Sequence, residues 1–151
     1  QVGAKNLDEC QKRSSIILEK DPNKEHYKLF DFLNDTALRM ATGASSLIVS
    51  RAGSTIFEIA NWGLPSIIIP IPESISHDQI PNAYTYARSG GTVVIEEDNL
   101  SPSVLLAEIN RLMENQDLRV KMALAAKKYS NPDAGRTIAK GLIDIGLSHE
   151  S

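Results

Sequence analysis

Three short apolar runs, each followed by a polar turn, dominate the middle of the chain. The runs lie at 46–50, 65–70 and 92–96, and all three are rich in Ile or Val. Continuous runs of this kind are typical of strands that are buried on both faces of a parallel sheet. The helical segments between them would be right-handed crossovers that cover the sheet. The pattern therefore predicts an α/β, Rossmann-like domain with helices on both faces.

The segments before the first run carry weaker signals. Residues 6–20 mix Leu and Ile with many charges, and they predict a solvent-facing helix that ends near Pro22. Residues 26–32 alternate apolar and polar positions and predict a strand. Asn34 or Asp35 then caps a helix that ends near Gly43.

The remaining pattern is helical. A helix is predicted over 55–62, where Gly63 ends it, and another over 78–88. Behind Ser, Asn or Asp caps, the last part of the chain predicts a helical C-terminal tail at 103–114, 118–128 and 133–145.

Composition narrows the class of protein. A chain of 151 residues with 42% hydrophobic content has the size and core of one globular domain. A net charge of −3 with scattered Lys and Arg lacks the basic footprint of a nucleic-acid-binding protein. Cys10 is the only cysteine, and no apolar run is long enough to cross a bilayer. We expect a cytoplasmic location. From the start at Gln1 instead of Met we also expect a processed, recombinant or partial chain.

Residues 50–58 join a strand, a turn of small residues and a helix start. Unpaired backbone N–H groups and the positive end of the helix dipole make such a junction an anion site. Glu58 lies one turn inside and could accept hydrogen bonds from a ribose while the turn holds a diphosphate. Alternatively, Thr55 and Glu58 form a capping box and nothing binds. Arg51 either neutralises a phosphate or pairs with a structural carboxylate.

A second polar loop follows the next strand at residues 73–83. His77 could act as a general base, but no nucleophile with an orienting acid accompanies it, so a loop or capping role competes. His77 and Asp78 could hold a metal, yet no further His or Cys cluster supports this, and we expect none. Both polar loops follow strands, so they should share the carboxyl rim of the sheet.

The ordered set of motifs resembles the C-terminal half of MurG-type N-acetylglucosaminyltransferases, which complete the peptidoglycan precursor lipid II. The motifs lie at 50–55, 58–60, 63–65, 77–79 and 82–83, and the resemblance runs from residue 1 to about residue 147. It implies one half of a GT-B architecture, in which two Rossmann-like domains face a cleft. The C-terminal domain of that architecture binds UDP-N-acetylglucosamine.

The resemblance also implies roles for single residues. The backbone at Leu33 would meet the uracil edge, and Glu58 would take the ribose hydroxyls. Gln79 would hydrogen-bond the N-acetylglucosamine hydroxyls. Asp78 stands where the family often carries a second Gln, and an acid cannot donate an amide N–H. The full set of implied substrate-binding residues is Leu33, Arg51, Gly53, Ser54, Thr55, Glu58, Asp78 and Gln79.

Family members invert at the anomeric carbon as a muramyl hydroxyl of a lipid-linked acceptor attacks and UDP leaves. Their acceptor site and candidate base lie on an N-terminal domain. By this resemblance we expect the chain to lack that domain and the first strand, loop and helix of the C-terminal domain. The resemblance thus implies a single donor-binding domain over 1–151 that has no catalytic residue or cofactor of its own and is inactive alone. The full-length enzyme would lie on the cytoplasmic face of the bacterial inner membrane and serve cell-wall synthesis, cell shape and division.

Two alternatives stay open. The chain could be a stand-alone nucleotide-sugar-binding subunit that needs a partner chain, or part of a GT-B enzyme that acts on another glycolipid. The sequence does not contain the motifs of a response-regulator receiver or of a dinucleotide-binding domain. An exposed strand edge also favours a homodimer of the shortened chain.

Overall fold

The computed structural model describes residues 1–148 and contains two compact units, Gln1–Ala44 and a second unit that begins at Ser45. The first unit holds two helices, α1 (Leu7–Ile17) and α2 (Asp35–Gly43). As predicted, Asn34 caps α2: its side-chain oxygen accepts a hydrogen bond from the amide of Ala37 at 2.9 Å. None of the helices within residues 1–148 combines the length and apolar character that crossing a bilayer requires.

The predicted strand at 26–32 is wrong. A 3-10 turn at Lys24–His26 occupies its start, and the rest is irregular backbone. The amide of Val2 donates to the carbonyl of Phe30, but Phe30 and Phe32 remain 45% and 69% exposed. Alternation of apolar and polar residues makes a strand only where one face is buried against other elements, and this segment buries neither aromatic ring.

The second unit contains the predicted sheet. Its strands are parallel and lie in the order β1-β2-β3, with Val49 opposite Ile67 and Ile67 opposite Val93. The elements of this unit are β1 (Ile48–Ser50), α3 (Thr55–Trp62), β2 (Ser66–Ile68), α4 (Gln79–Ala87), β3 (Thr92–Val94), α5 (Pro102–Glu114), α6 (Gln116–Tyr129) and α7 (Ala134–Ser148). The predicted strands, crossover helices and helical tail are confirmed, although each strand is only three residues long.

Helices cover both faces of this sheet. Ile67 and Ile68 are adjacent and fully buried, yet they belong to different core clusters, because successive strand side chains point to opposite faces. Ile68 packs with side chains of α3, α4 and α6, whereas Ile67 packs with side chains of α5 and α6. This is the predicted Rossmann-like architecture.

The parallel order also determines where polar side chains collect. Strands that run in the same direction end at the same edge of the sheet, so the residues that follow them share that edge. Arg51 follows β1, Ile69 follows β2, and Ile95 follows β3, with Glu96 one residue further along. The three strand ends form what we call the carboxyl rim.

Candidate functional site

The turn at residues 51–55 leads from β1 into α3 at the carboxyl rim. Ala52 is fully buried, and the exposed residues Ser54 and Thr55 begin the helix. The first helical hydrogen bonds are donated by Ile56 and Phe57, to the carbonyls of Gly53 and Ser54 at 3.2 and 3.1 Å. Within residues 1–148 the backbone amides of Gly53, Ser54 and Thr55 donate to no acceptor of the chain. Three consecutive free donors at a helix start are the elements of an anion site.

The capping-box alternative for Thr55 and Glu58 is wrong. The N-cap of α3 is Ser54, one residue earlier, and within residues 1–148 no side chain hydrogen-bonds to the start of the helix. Ser54 has helical backbone angles, φ −56° and ψ −24°, whereas a capping side chain needs an extended N-cap residue to reach the next amides. Glu58 is exposed and forms no hydrogen bond or ion pair within the described part of the chain.

Glu58 also borders a groove of about 540 Å³. Phe57 and Tyr129 line it as well, and their rings stack with centroids 6.5 Å apart. The groove gives the free carboxylate an open approach from solvent on this side of α3.

Arg51 pairs with a structural carboxylate. Its Nη1 atom lies 2.5 Å from Oε2 of Glu97 and donates a second, longer hydrogen bond to the carbonyl of Ile69 at 3.4 Å. Of the two roles that the sequence left open for Arg51, the structure contains this one. The contact joins residues that follow all three strands, and Glu97 was not singled out by the sequence analysis.

Gln79 holds the second loop. It is the first residue of α4, and its side-chain oxygen accepts a hydrogen bond from the amide of Ile71 at 3.1 Å. The side-chain NH2 group remains as a donor. Asp78 and His77 precede Gln79 and are exposed, and the Asp78 side chain does not cap α4.

Tyr84 and Glu96 form a further contact at the carboxyl rim. The Tyr84 hydroxyl donates a hydrogen bond of 2.5 Å to Oε1 of Glu96. This hydrogen bond, with some burial, raises the pKa of Tyr84 above its ordinary value. A pair of acids just beyond the end of β3, Glu96-Glu97, is the sequence signal that could have indicated both rim contacts.

The predicted site residues divide between the two units. Leu33 lies in the first unit, half-buried, and its amide donates to the Gln1 side chain at 3.2 Å. Arg51, Gly53, Ser54, Thr55 and Glu58 lie on the turn and first part of α3, and Asp78 and Gln79 lie at the start of α4. Because β1 and β2 are neighbours, the residues on the turn and α3 share the carboxyl rim with those at the start of α4. The role of Leu33 stays a prediction.

The chain is similar to known glycosyltransferases. A curated relative from Mesorhizobium japonicum is 42% identical over 109 residues, which is 72% of this chain and 28% of that protein. A relative from Limosilactobacillus reuteri is 33% identical over 127 residues, or 83% of this chain and 34% of that protein. Both are named UDP-N-acetylglucosamine--N-acetylmuramyl-(pentapeptide) pyrophosphoryl-undecaprenol N-acetylglucosamine transferase.

A solved structure from the same group of proteins is also similar to this chain. The crystal structure of Acinetobacter baumannii MurG matches with a TM-score of 0.75 and 26% identity, over 91% of this chain and 38% of that one. The chain thus spans about a third of the length of the proteins it matches. Residues 1–138 match the glycosyltransferase family 28 C-terminal domain, and the chain belongs to that family.

Proposed function

We propose that this chain is the donor-binding part of an inverting N-acetylglucosaminyltransferase of peptidoglycan synthesis and that it binds UDP-N-acetylglucosamine. One observation carries the proposal: the free amides of Gly53, Ser54 and Thr55 lie one helical turn from the free carboxylate of Glu58. A nucleoside diphosphate offers both an anion and a ribose diol.

The diphosphate would bind at the turn. The free amides and the exposed hydroxyls of Ser54 and Thr55 offer donors, and the positive end of α3 favours negative charge. The charge of Arg51 is already balanced by Glu97, so Arg51 supports the turn instead of serving as the main phosphate ligand.

The ribose and the sugar would bind on either side of the diphosphate. Glu58 would accept hydrogen bonds from the ribose hydroxyls, as acidic residues do in other nucleotide sites. A free carboxylate this near would repel an isolated phosphate, so it favours a ligand that also carries hydroxyl groups. The Gln79 NH2 group would donate to hydroxyls of N-acetylglucosamine, and Asp78 would accept from them.

In the transfer step, a hydroxyl of a lipid-linked acceptor would attack the anomeric carbon from the face opposite UDP. The bond to the diphosphate oxygen breaks, and the turn amides stabilise the negative charge that develops there. The general base and the acceptor site would belong to the larger part of the relatives' length that this chain does not span. The chain alone would bind the donor without transferring it, and the complete enzyme would work at the cytoplasmic face of the inner membrane.

Calorimetric titration of the chain with UDP-N-acetylglucosamine, UDP and UDP-glucose tests the proposal. We expect all three to bind, the N-acetyl sugar most tightly, and Glu58→Ala to abolish binding. The control is Glu114→Ala, which removes an exposed carboxylate at the end of α5 and should bind as the parent does. A folded chain that binds none of the ligands, or a Glu58→Ala variant that binds normally, would contradict the proposal.

A further inference from the structure

Two consecutive acids after β3 hold different parts of the carboxyl rim. Glu97 pairs with Arg51, which begins the turn after β1, and Glu96 accepts the hydrogen bond from Tyr84 on α4. The first contact reaches the turn proposed for the diphosphate. The second reaches the helix that begins with Gln79.

The segment that carries the two acids is itself well anchored. The amide of Ile95 donates to the carbonyl of Ile68 at 3.0 Å, and Ile95 is buried. A 3-10 turn follows, in which Asn99 and Leu100 donate to the carbonyls of Glu96 and Glu97 at 3.0 and 3.1 Å. The backbone of the acids is therefore held on both sides, by the sheet and by the turn.

We infer that Glu96 and Glu97 are positioning residues that set the spacing between the diphosphate turn and the sugar-binding end of α4. Glu97 acts through Arg51, whose Nη1 also donates to the carbonyl of Ile69 and so ties β1 to the end of β2. Glu96 acts through Tyr84. This inference rests on the proposed donor site, and it adds a role for residues outside the predicted contacts.

These contacts contribute little to the stability of the fold. The side chains of Arg51 and Glu97 are 48% and 40% exposed, and ion pairs in such positions contribute little to folding because water screens them. An exposed pair can nevertheless fix the orientation of a loop, since it selects one geometry among several of similar energy. Loss of the contacts should therefore change ligand affinity more than thermal stability.

Substitutions of Glu96 and Glu97 should change the affinities for UDP and UDP-N-acetylglucosamine differently. Glu97→Ala should weaken both UDP and UDP-N-acetylglucosamine by at least about threefold, because both use the diphosphate turn. Glu96→Ala and Tyr84→Phe should each weaken UDP-N-acetylglucosamine to a similar extent and leave UDP within about twofold of the parent. Glu97→Gln keeps an acceptor for Arg51 and should recover part of the affinity.

Asp98→Ala is the matched control. Asp98 lies in the same 3-10 turn, is exposed, and forms no ion pair within residues 1–148, so its loss reports only the removal of one negative charge near an anion. A general charge effect would strengthen binding in Asp98→Ala and Glu97→Ala alike. A positioning role predicts opposite directions for the two variants.

The outcomes separate this inference from the proposed function. If the parent chain binds neither ligand, the proposed function fails and this inference fails with it. If the parent binds and Glu97→Ala binds UDP as tightly as the parent, or Glu96→Ala weakens both ligands equally, the inference alone is overturned. Unchanged circular dichroism and melting temperature in each variant will show that the effects are not losses of folding.

Discussion

The side-chain oxygen of Gln79 accepts a hydrogen bond of 3.1 Å from the backbone amide of Ile71, across the loop that connects β2 to α4. One half of the Gln79 amide therefore shapes the loop, while the other half is free to meet a ligand. Two functions of one side chain can be separated by a substitution that keeps the acceptor and removes the donor.

We predict that Gln79→Glu lowers the ratio of UDP-N-acetylglucosamine affinity to UDP affinity by about threefold to tenfold, the effect of one lost hydrogen bond. The added charge acts on both ligands and cancels in the ratio. Calorimetric titration with both ligands measures this ratio. Gln79→Ala also loses the contact with Ile71, so it should lower the affinity for both ligands. An unchanged ratio in Gln79→Glu would remove Gln79 from the sugar site.

A substitution at Gly53 tests whether the diphosphate binds at this turn. Apart from its chain neighbours, a Cβ atom added at Gly53 would meet no atom of residues 1–148 within 4 Å. The residue does not have a positive φ either, so Gly53→Ala should fold normally. Its effect on stability should lie between zero and an increase of about 1 kcal/mol, from the reduced entropy of the unfolded chain. The methyl group would nevertheless obstruct a phosphate that approaches the backbone, and we expect UDP affinity to fall about tenfold.

The control for this substitution is Gly43→Ala, where an added Cβ also meets no described atom within 4 Å beyond its chain neighbours and its own helix backbone. It lies at the end of α2 in the other unit and should leave UDP affinity unchanged. Normal UDP binding by Gly53→Ala would show that no ligand approaches the backbone at this turn.

Gly63 ends α3 in the left-handed conformation, with φ 70°. A Cβ atom there would lie 2.6 Å from carbon atoms of the Lys127 side chain, which donates from Nζ to the carbonyl of Asn61. We predict that Gly63→Ala destabilises the fold by about 1 to 3 kcal/mol, measured by urea unfolding, through backbone strain and the displaced lysine.

Gly90→Ala provides the comparison, because Gly90 has a similar φ of 85° but its Cβ would have an ordinary contact of 3.6 Å with Ala125. It should cost only the backbone strain. In addition, Lys127→Ala should recover part of the loss in a Gly63→Ala background. Equal costs for the two glycine variants would show that the contact with Lys127 relaxes freely.

Tyr86 is fully buried, and its hydroxyl has no hydrogen-bond partner within the described residues. Replacing a buried, unpaired hydroxyl removes a desolvation cost, so Tyr86→Phe should leave the free energy of unfolding unchanged or raise it by about 1 kcal/mol. A loss of more than that in urea unfolding would indicate a hydrogen bond of the Tyr86 hydroxyl, for example with the buried Ser66 hydroxyl.

The same residue predicts the alkaline limit of stability. Burial raises the pKa of Tyr86 above its ordinary value near 10, so its contribution to stability is complete below that pH and is lost as the pH rises toward the raised pKa. Melting temperatures measured between about pH 8 and pH 11 should fall less steeply in Tyr86→Phe than in the parent. Parallel curves for the two proteins would contradict a phenol that ionises only on unfolding.

The local patterns predicted the fold well. Strands at Ile48, Ser66 and Thr92, the Asn34 cap and the Gly63 helix end all depend on residues a few positions apart, where propensity and periodicity act. The same patterns were wrong at 26–32 and at the Thr55–Glu58 box, because alternation without burial does not make a strand and a cap depends on which residue starts the helix.

The sequence by itself thus determined the parallel sheet, its crossover helices and the two loops that hold most of the predicted site residues. Only the tertiary structure decided how those loops are held, since Arg51 and Glu97 are 46 positions apart and Tyr84 and Glu96 are 12 apart. Contacts of that kind depend on the order and register of the strands, which bring three strand ends to one edge of the sheet. No pattern of neighbouring residues contains this information.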